Sequence, residues 1–210
     1  MTLRLNGSTS GYTEIDAPAV AGSNALVLPT GNGTADQVIA GNGSGALSWV
    51  DRGRMVLETA KPATGTAIDF IGIPSWVKKI TVVFSGVSTN GTSITQIQLG
   101  TSSGLATTGY AGTGSSCGNA GSYTVAAASS GFYTDGAGAA NYTRNGLAII
   151  TSLGGNVWAY SGTFGVSTVV LASFGGGAVT LSGTLDRIRI TTVNGTDTFD
   201  SGSVNILYEG

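Results

Sequence analysis

Six Asn-Gly dipeptides, at Asn6-Gly7, Asn32-Gly33, Asn42-Gly43, Asn90-Gly91, Asn145-Gly146 and Asn194-Gly195, cut this chain into short pieces, and Asp135-Gly136 adds a further break. Asn-Gly favours the type I′ turn of a β-hairpin, because both residues tolerate the positive φ that the turn requires. Between these turns lie short runs rich in Val, Ile and Thr, which suit a pleated, half-buried surface. No window sustains an apolar period of 3.6 over three turns, and helix formers are scarce. The pattern predicts an all-β chain.

Residues 1–53 differ from the rest. Strands are expected at Thr2–Leu5, Thr13–Asp16, Ala25–Leu28 and Ala46–Val50, separated by loops. Large apolar side chains are few and widely spread over this segment, a thin core for an independent domain. The segment is expected to complete its core against other chains or along an axis, as an attachment or stalk element; a flexible tail is the other reading. From Arg54 the pattern tightens. Strands are expected at Met55–Thr59, Ala67–Ile71, Val77–Ser85, Ile94–Leu99, Tyr123–Ala127, Leu147–Leu153, Val157–Phe164, Ser167–Ser173, Ala178–Leu181, Leu185–Val193 and Ser203–Tyr208. Alternation places Ile188 and Ile190 on one face and Arg187 and Arg189 on the other. The last strand repeats this with Val204, Ile206 and Tyr208. Short strands at this spacing argue for a β-sandwich or barrel over residues 54–210.

Charge narrows the function classes. Charged residues make up 10% of the chain, against about 25% in an average domain. With a net charge of −2 and no basic run, there is no electrostatic footprint for nucleic acid. Histidine is absent, which removes the usual general base and the commonest zinc ligand. The single cysteine, Cys117, forms no internal disulfide. No apolar run approaches the length of a membrane-spanning helix, so no membrane insertion is expected. The start of the sequence has no secretory signal pattern, so the chain is expected to be made in a cytoplasm and to leave by lysis or within a particle.

The few charges are also segregated. Residues 80–134 and 145–185 carry none. Ser, Thr, Asn and Gln replace the charges that normally keep a surface soluble. Burial between subunits and recognition of neutral polyhydroxyl ligands both favour such a surface; a weakly selected, loop-rich surface is the plain alternative. Within it, residues 100–146 read as loops threaded with aromatic rings. Tyr110, Tyr123, Phe132, Tyr133 and Tyr142, with Asn141 beside the last, form the candidate ligand-binding set, since contacts concentrate on loops held by a scaffold. Anchoring of those loops to the core is the competing fate of each ring.

Catalysis finds little support. Asp197 and Asp200 are the only close pair of acids in the β-rich part; they suit a calcium-binding loop, but a turn between strands uses the same residue types. Without histidine there is no Ser-His-Asp arrangement, and nothing of that kind activates Cys117. The chain is expected to be no enzyme and to need neither cofactor nor metal.

Two segments carry a family resemblance. Residues Ser8–Thr30 (STSGYTEIDAPAVAGSNALVLPT) resemble the N-terminal modules of bacteriophage fibre proteins, especially those of phages that infect cyanobacteria. Gly72–Ile80 (GIPSWVKKI), Gly86–Thr92 (GVSTNGT) and Leu181–Glu209 (LSGTLDRIRITTVNGTDTFDSGSVNILYE) resemble the C-terminal β-sandwich heads of phage tail fibres and related virion appendages. The resemblance covers most of the chain outside residues 100–175 and carries no catalytic signature. It implies a homotrimer in the virion, with a jelly-roll-like head at 54–210 contacting host surface glycan and residues 1–53 gripping other virion proteins. A capsid-attached fibre or a purely structural tail-assembly protein is implied equally well by so short a lead.

Overall fold

The computed structural model describes residues 3–16, 18–20, 22, 23, 25–35 and 37–210. The chain forms two compact units, Met1–Arg52 and Gly53–Gly210. The N-terminal unit holds two separate antiparallel hairpins. Strands β1 (Leu3–Asn6) and β2 (Tyr12–Ile15) make the first, β3 (Gln37–Gly41) and β4 (Leu47–Asp51) the second. Expected residue Thr2 lies outside the described residues. The strand expected at Ala25–Leu28 is reduced to an isolated bridge from Val27 to Ala46, and β3 occupies a stretch that sequence patterning leaves as loop. No described residue of this unit is buried. Within it the Trp49 ring lies against the backbone of Gly33, and its indole N–H donates to the Gly31 carbonyl at 3.2 Å.

The C-terminal unit is a β-sandwich. Its strands in chain order are β5 (Met55–Leu57), β6 (Lys61–Pro62), β7 (Ala67–Ile71), β8 (Lys79–Thr89), β9 (Thr95–Thr101), β10 (Gly104–Leu105) and β11 (Ala111–Gly118). They continue with β12 (Tyr123–Ala128), β13 (Phe132–Tyr133), β14 (Arg144–Gly154), β15 (Val157–Val166), β16 (Leu171–Thr180), β17 (Arg187–Thr192) and β18 (Phe199–Glu209). The small sheet has five strands, ordered β10-β9-β17-β7 with β13 beside β9. The large sheet has nine, ordered β12-β11-β16-β15-β14-β8-β18-β5 with β6 beside β18. Every pairing is antiparallel.

Period-two alternation builds the core between the sheets. Ile80, Val82 and Phe84 of β8, Ile150 of β14, Trp158 and Phe164 of β15, and Val204 and Ile206 of β18 face inward from the large sheet. Ile68 and Phe70, Ile97 and Leu99, and Ile188 and Ile190 face them from the small sheet. Each such side chain contributes about 1.5–3 kcal/mol on leaving water. Arg189 points outward as alternation requires, in a two-bond pairing with Asp69 at 2.7 and 2.8 Å. That hydrogen bonding, ahead of the opposing effect of burial, raises the pKa of its guanidinium.

Two expectations for this unit are corrected. The stretch 100–146 is not a loop region: β11 is an interior strand, paired with β12 on one side and β16 on the other. Its sequence, AGTGSSCG, shows no β-branched alternation, so its strand character comes from the two neighbouring ladders. Likewise Gly175-Gly176-Gly177 does not separate two strands but lies inside the single strand β16. The glycines permit close approach here. A Cβ on Gly114 would stand 2.1 Å from the Asp135 carbonyl oxygen, and one on Gly175 would stand 2.3 Å from that of Tyr133. The segment that follows β13 lies directly on these bare strands.

Candidate functional site

The two charge-free stretches, separated by residues 135–144, supply neighbouring strands. They supply β11, β12, β15 and β16 whole, and all but the first residue of β8 and of β14. These six strands are consecutive in the large sheet, in the order β12-β11-β16-β15-β14-β8. At about 4.8 Å per step they span roughly 24 Å. Of their side chains only Lys79 and Arg144 are charged. Lys79 sits at one end, paired with Glu209 at 3.1 Å, and Arg144 is fully buried. One register row across the outer face reads Val83, Leu147, Thr163, Phe174, Ser115, Val125; the next reads Thr81, Ile149, Ser161, Gly176, Thr113, Ala127. Val83, Leu147, Phe174 and Val125 are 40–52% exposed. The face alternates hydroxyls, bare glycine backbone and half-exposed apolar side chains.

Between Lys79 and Asp186 the chain carries just two charged residues, Asp135 and Arg144, and they bind each other. Both side chains are wholly buried, with Arg144 Nε donating to Asp135 Oδ2 at 2.7 Å. Thr134 Oγ1 donates to the same oxygen at 2.7 Å, and Ser173 Oγ donates to Oδ1 at 2.8 Å. The pair ties the segment after β13 to β14 and β16. Sequence reading assigned Asp135 an ordinary turn role and passed over Arg144. The signal was present: two lone opposite charges inside an otherwise neutral stretch.

The aromatic candidates divide. Tyr110, Phe132 and Tyr133 are 6%, 1% and 6% exposed and belong to the interior. The Tyr110 ring meets Phe132 edge-on at 4.9 Å, and Phe132 stacks on Tyr160 at 4.8 Å, which joins the two sheets. Tyr110 accepts from the Leu99 N–H at 2.7 Å; burial nevertheless pushes its phenol up to about 12. Burial, and then the Asp135 charge, raise Tyr160 also. Its hydroxyl donates to the Tyr133 carbonyl at 3.1 Å. Tyr123 opens β12 and is 60% exposed. Asn141 is exposed, and its carbonyl accepts from Thr168 Oγ1. Tyr142 is half-buried, with the Arg144 guanidinium 5.5 Å from its ring centre.

Asp197 and Asp200 have separate partners. Asp197 accepts from Asn194 Nδ2 at 2.6 Å and from the Ser93 N–H at 2.9 Å, and these bonds lower its pKa in that order of size. Asp200 accepts from Ser88 Oγ. Among the described residues no group of three or more His, Cys, Asp or Glu is placed to hold a metal ion. Cys117 is exposed and free. A scan of protein-family models and searches of curated proteins and of solved structures find no match to this chain.

Proposed function

We propose that the chain is a virion structural protein of the bacteriophage tail-fibre type, a homotrimer whose sandwich head binds host surface polysaccharide. Residues 1–53 attach it to other virion proteins. One observation carries this reading: the topology gathers strands from the charge-free stretches on either side of residues 135–144 into a single uncharged face on the large sheet. Hydroxyls and exposed glycine backbone suit the hydroxyls of a neutral glycan, and the half-exposed apolar side chains suit sugar C–H surfaces. No catalytic step belongs to the reading. Binding of the full chain to an array of bacterial surface polysaccharides tests it, together with Thr163→Lys, which puts a charge in the middle of the face. Retained binding in that variant, or no binding at all, overturns the glycan role. Sizing the chain with and without residues 1–53 tests assembly, and a stable monomer overturns the trimer.

The apolar row Val83, Leu147 and Phe174 favours a second reading, in which the same face is a subunit contact of a head-decoration or tail-assembly protein. A particle map that buries this face against a neighbouring subunit would select it.

A further inference from the structure

Strands at the ends of a sheet leave backbone N–H and C=O groups unpaired, and folded proteins blunt such edges with short strands, Lys or Pro. Most edges of this sandwich follow that rule. Strands β10 and β13 hold two residues each, β6 is Lys61-Pro62, and β5 has three residues between Arg54 and Glu58. At β7 the Lys61 ammonium reaches across to the Asp69 carbonyl. Strand β12, which ends the large sheet, has none of these devices. It runs six residues, Tyr123–Ala128 (YTVAAA), with neither charge nor proline.

The register fixes which groups are free. Gly118 N–H donates to the Ser122 carbonyl at 2.9 Å, closing the β11–β12 hairpin, and Gly121 supplies its positive φ of 76°. In an antiparallel ladder, hydrogen-bonded and non-hydrogen-bonded pairs alternate. Counted from Gly118 and Ser122, the bonded pairs are Ser116–Thr124, Gly114–Ala126 and Gly112–Ala128. Tyr123, Val125 and Ala127 therefore turn their N–H and C=O groups away from β11. Among the described residues no other strand pairs with β12. The chain after β13 passes against Thr124 and the buried Ser116 instead, with Gly136 N–H donating to Ser116 Oγ at 2.9 Å. Tyr123 and Val125 are 60% and 52% exposed.

We propose that β12 is a docking edge for a second copy of this chain, paired antiparallel about a two-fold axis at Val125. Tyr123 then meets Ala127 of the second copy, Val125 meets Val125, and Ala127 meets Tyr123. Each of these pairs exchanges both of its backbone hydrogen bonds, because these are the residues whose groups point outward. The fit is self-complementary, with a large ring opposite a methyl group. Charge selects the occupant. A two-fold axis sets each residue near its own copy, so a charge beside the axis would meet the same charge. Residues 80–134 carry none. A basic or an acidic strand would find no opposite charge on β12 to hold it. The contact goes beyond the trimer reading: it joins chains in pairs, and it links one trimer to another where residues 1–53 hold three chains together.

Sedimentation of the full chain over a concentration series, with residue-resolved hydrogen exchange, tests the contact. The expected assembly holds an even number of chains: paired trimers, or a dimer where no trimer forms. V125P removes the central N–H without touching the β11 ladder, since Pro is tolerated on an edge whose N–H faces solvent. It should halve the assembly mass. V125K sets like charges at the axis, on Cα atoms about 5.5 Å apart, and should do the same if V125P fails to fold. The amides of Tyr123, Val125 and Ala127 should exchange slowly in the assembly and faster on dilution. A trimer whose mass V125P and V125K leave unchanged overturns the contact and keeps the trimer. A dimer that they split keeps the contact and overturns the trimer. Edge amides unprotected in the pure chain at every concentration, yet protected within a particle, give the edge to another virion protein and overturn the second copy.

Discussion

Three Asn-Gly dipeptides lie in each unit of this chain, alike in sequence and different in structure; against the sequence expectation, Asn145-Gly146 makes no turn but lies inside strand β14, where its pairing with β8 shifts register. In the C-terminal unit every such Asn is held by distant or multiple partners. Asn90 Oδ1 accepts from Thr198 N–H at 2.9 Å, and Asn145 Oδ1 accepts from Gly86 N–H at 2.8 Å. Asn194 binds Thr192, Thr196 and Asp197 with its side chain. In the N-terminal unit the Asn42 side chain bonds only Ser44, two residues away, and the side chains of Asn6 and Asn32 make no hydrogen bond among the described residues. Burial divides the same way. Ile80, Val82, Ile150 and Ile206 are 0% exposed, whereas Leu3, Leu5, Tyr12 and Ile15 are 54–60% exposed. The same dipeptide serves in a loop or, at Asn145-Gly146, inside a strand; only the packed sandwich gives its Asn side chain something distant to hold.

The sharpest break in this comparison is expected at the buried ion pair. Arg144→Met leaves Asp135 charged and unpaired inside the sandwich, at a cost of about 3–5 kcal/mol in urea unfolding of the C-terminal unit. The double variant D135L/R144M should recover most of that loss, and equal destabilisation by both would show that the pair is not what matters. Core truncation comes next. Phe84→Ala, which strips a ring tilted against Phe164 at 5.1 Å, should cost about 3–5 kcal/mol, whereas Ile15→Ala should stay within about 0.5 kcal/mol. Comparable losses at the two positions would erase the distinction between the units.

A chemical measurement sharpens the contrast further. Succinimide formation at Asn-Gly needs the Gly nitrogen to reach a free Asn side-chain carbonyl, with ammonia as the leaving group. In native protein aged at mildly alkaline pH, peptide mapping should find Asn6, Asn32 and Asn42 converted before Asn90, Asn145 and Asn194. In urea the six rates should converge, and a native order that ignores the units would contradict the assignment. The smallest effect concerns acid. Hydrogen bonds from Asn194 and Ser93 lower the pKa of Asp197, so its contribution is present above about pH 4 and is lost as pH falls through the native value. Asp197→Asn should slightly lower stability at neutral pH and flatten the acid limb, so that variant and parent converge as pH falls.

Much of the sandwich was legible before the structure. The alternation in Asp186–Ile190 and in Ser203–Tyr208 places Ile188, Ile190, Val204 and Ile206 inside, and all four are fully buried. Strand β7 matches its expected limits, because a half-buried strand writes its pleat into its sequence. Strand β11 and the continuity of β16 were illegible, since Gly, Ser and Ala carry no period and their pairing is set by neighbours. The aromatic set was read as a group, yet Tyr110, Phe132 and Tyr133 pack inward while Tyr123 stays exposed, a division that depends on which sheet face each ring meets.

By itself the sequence determined the all-β class, the thin N-terminal core and the scarcity of charge, because these depend on local backbone preference and composition. Tertiary structure alone decided that the neutral stretches on either side of residues 135–144 share one face and that Asp135 and Arg144 meet. Those outcomes depend on strand order and register, which bring together residues that no local pattern relates.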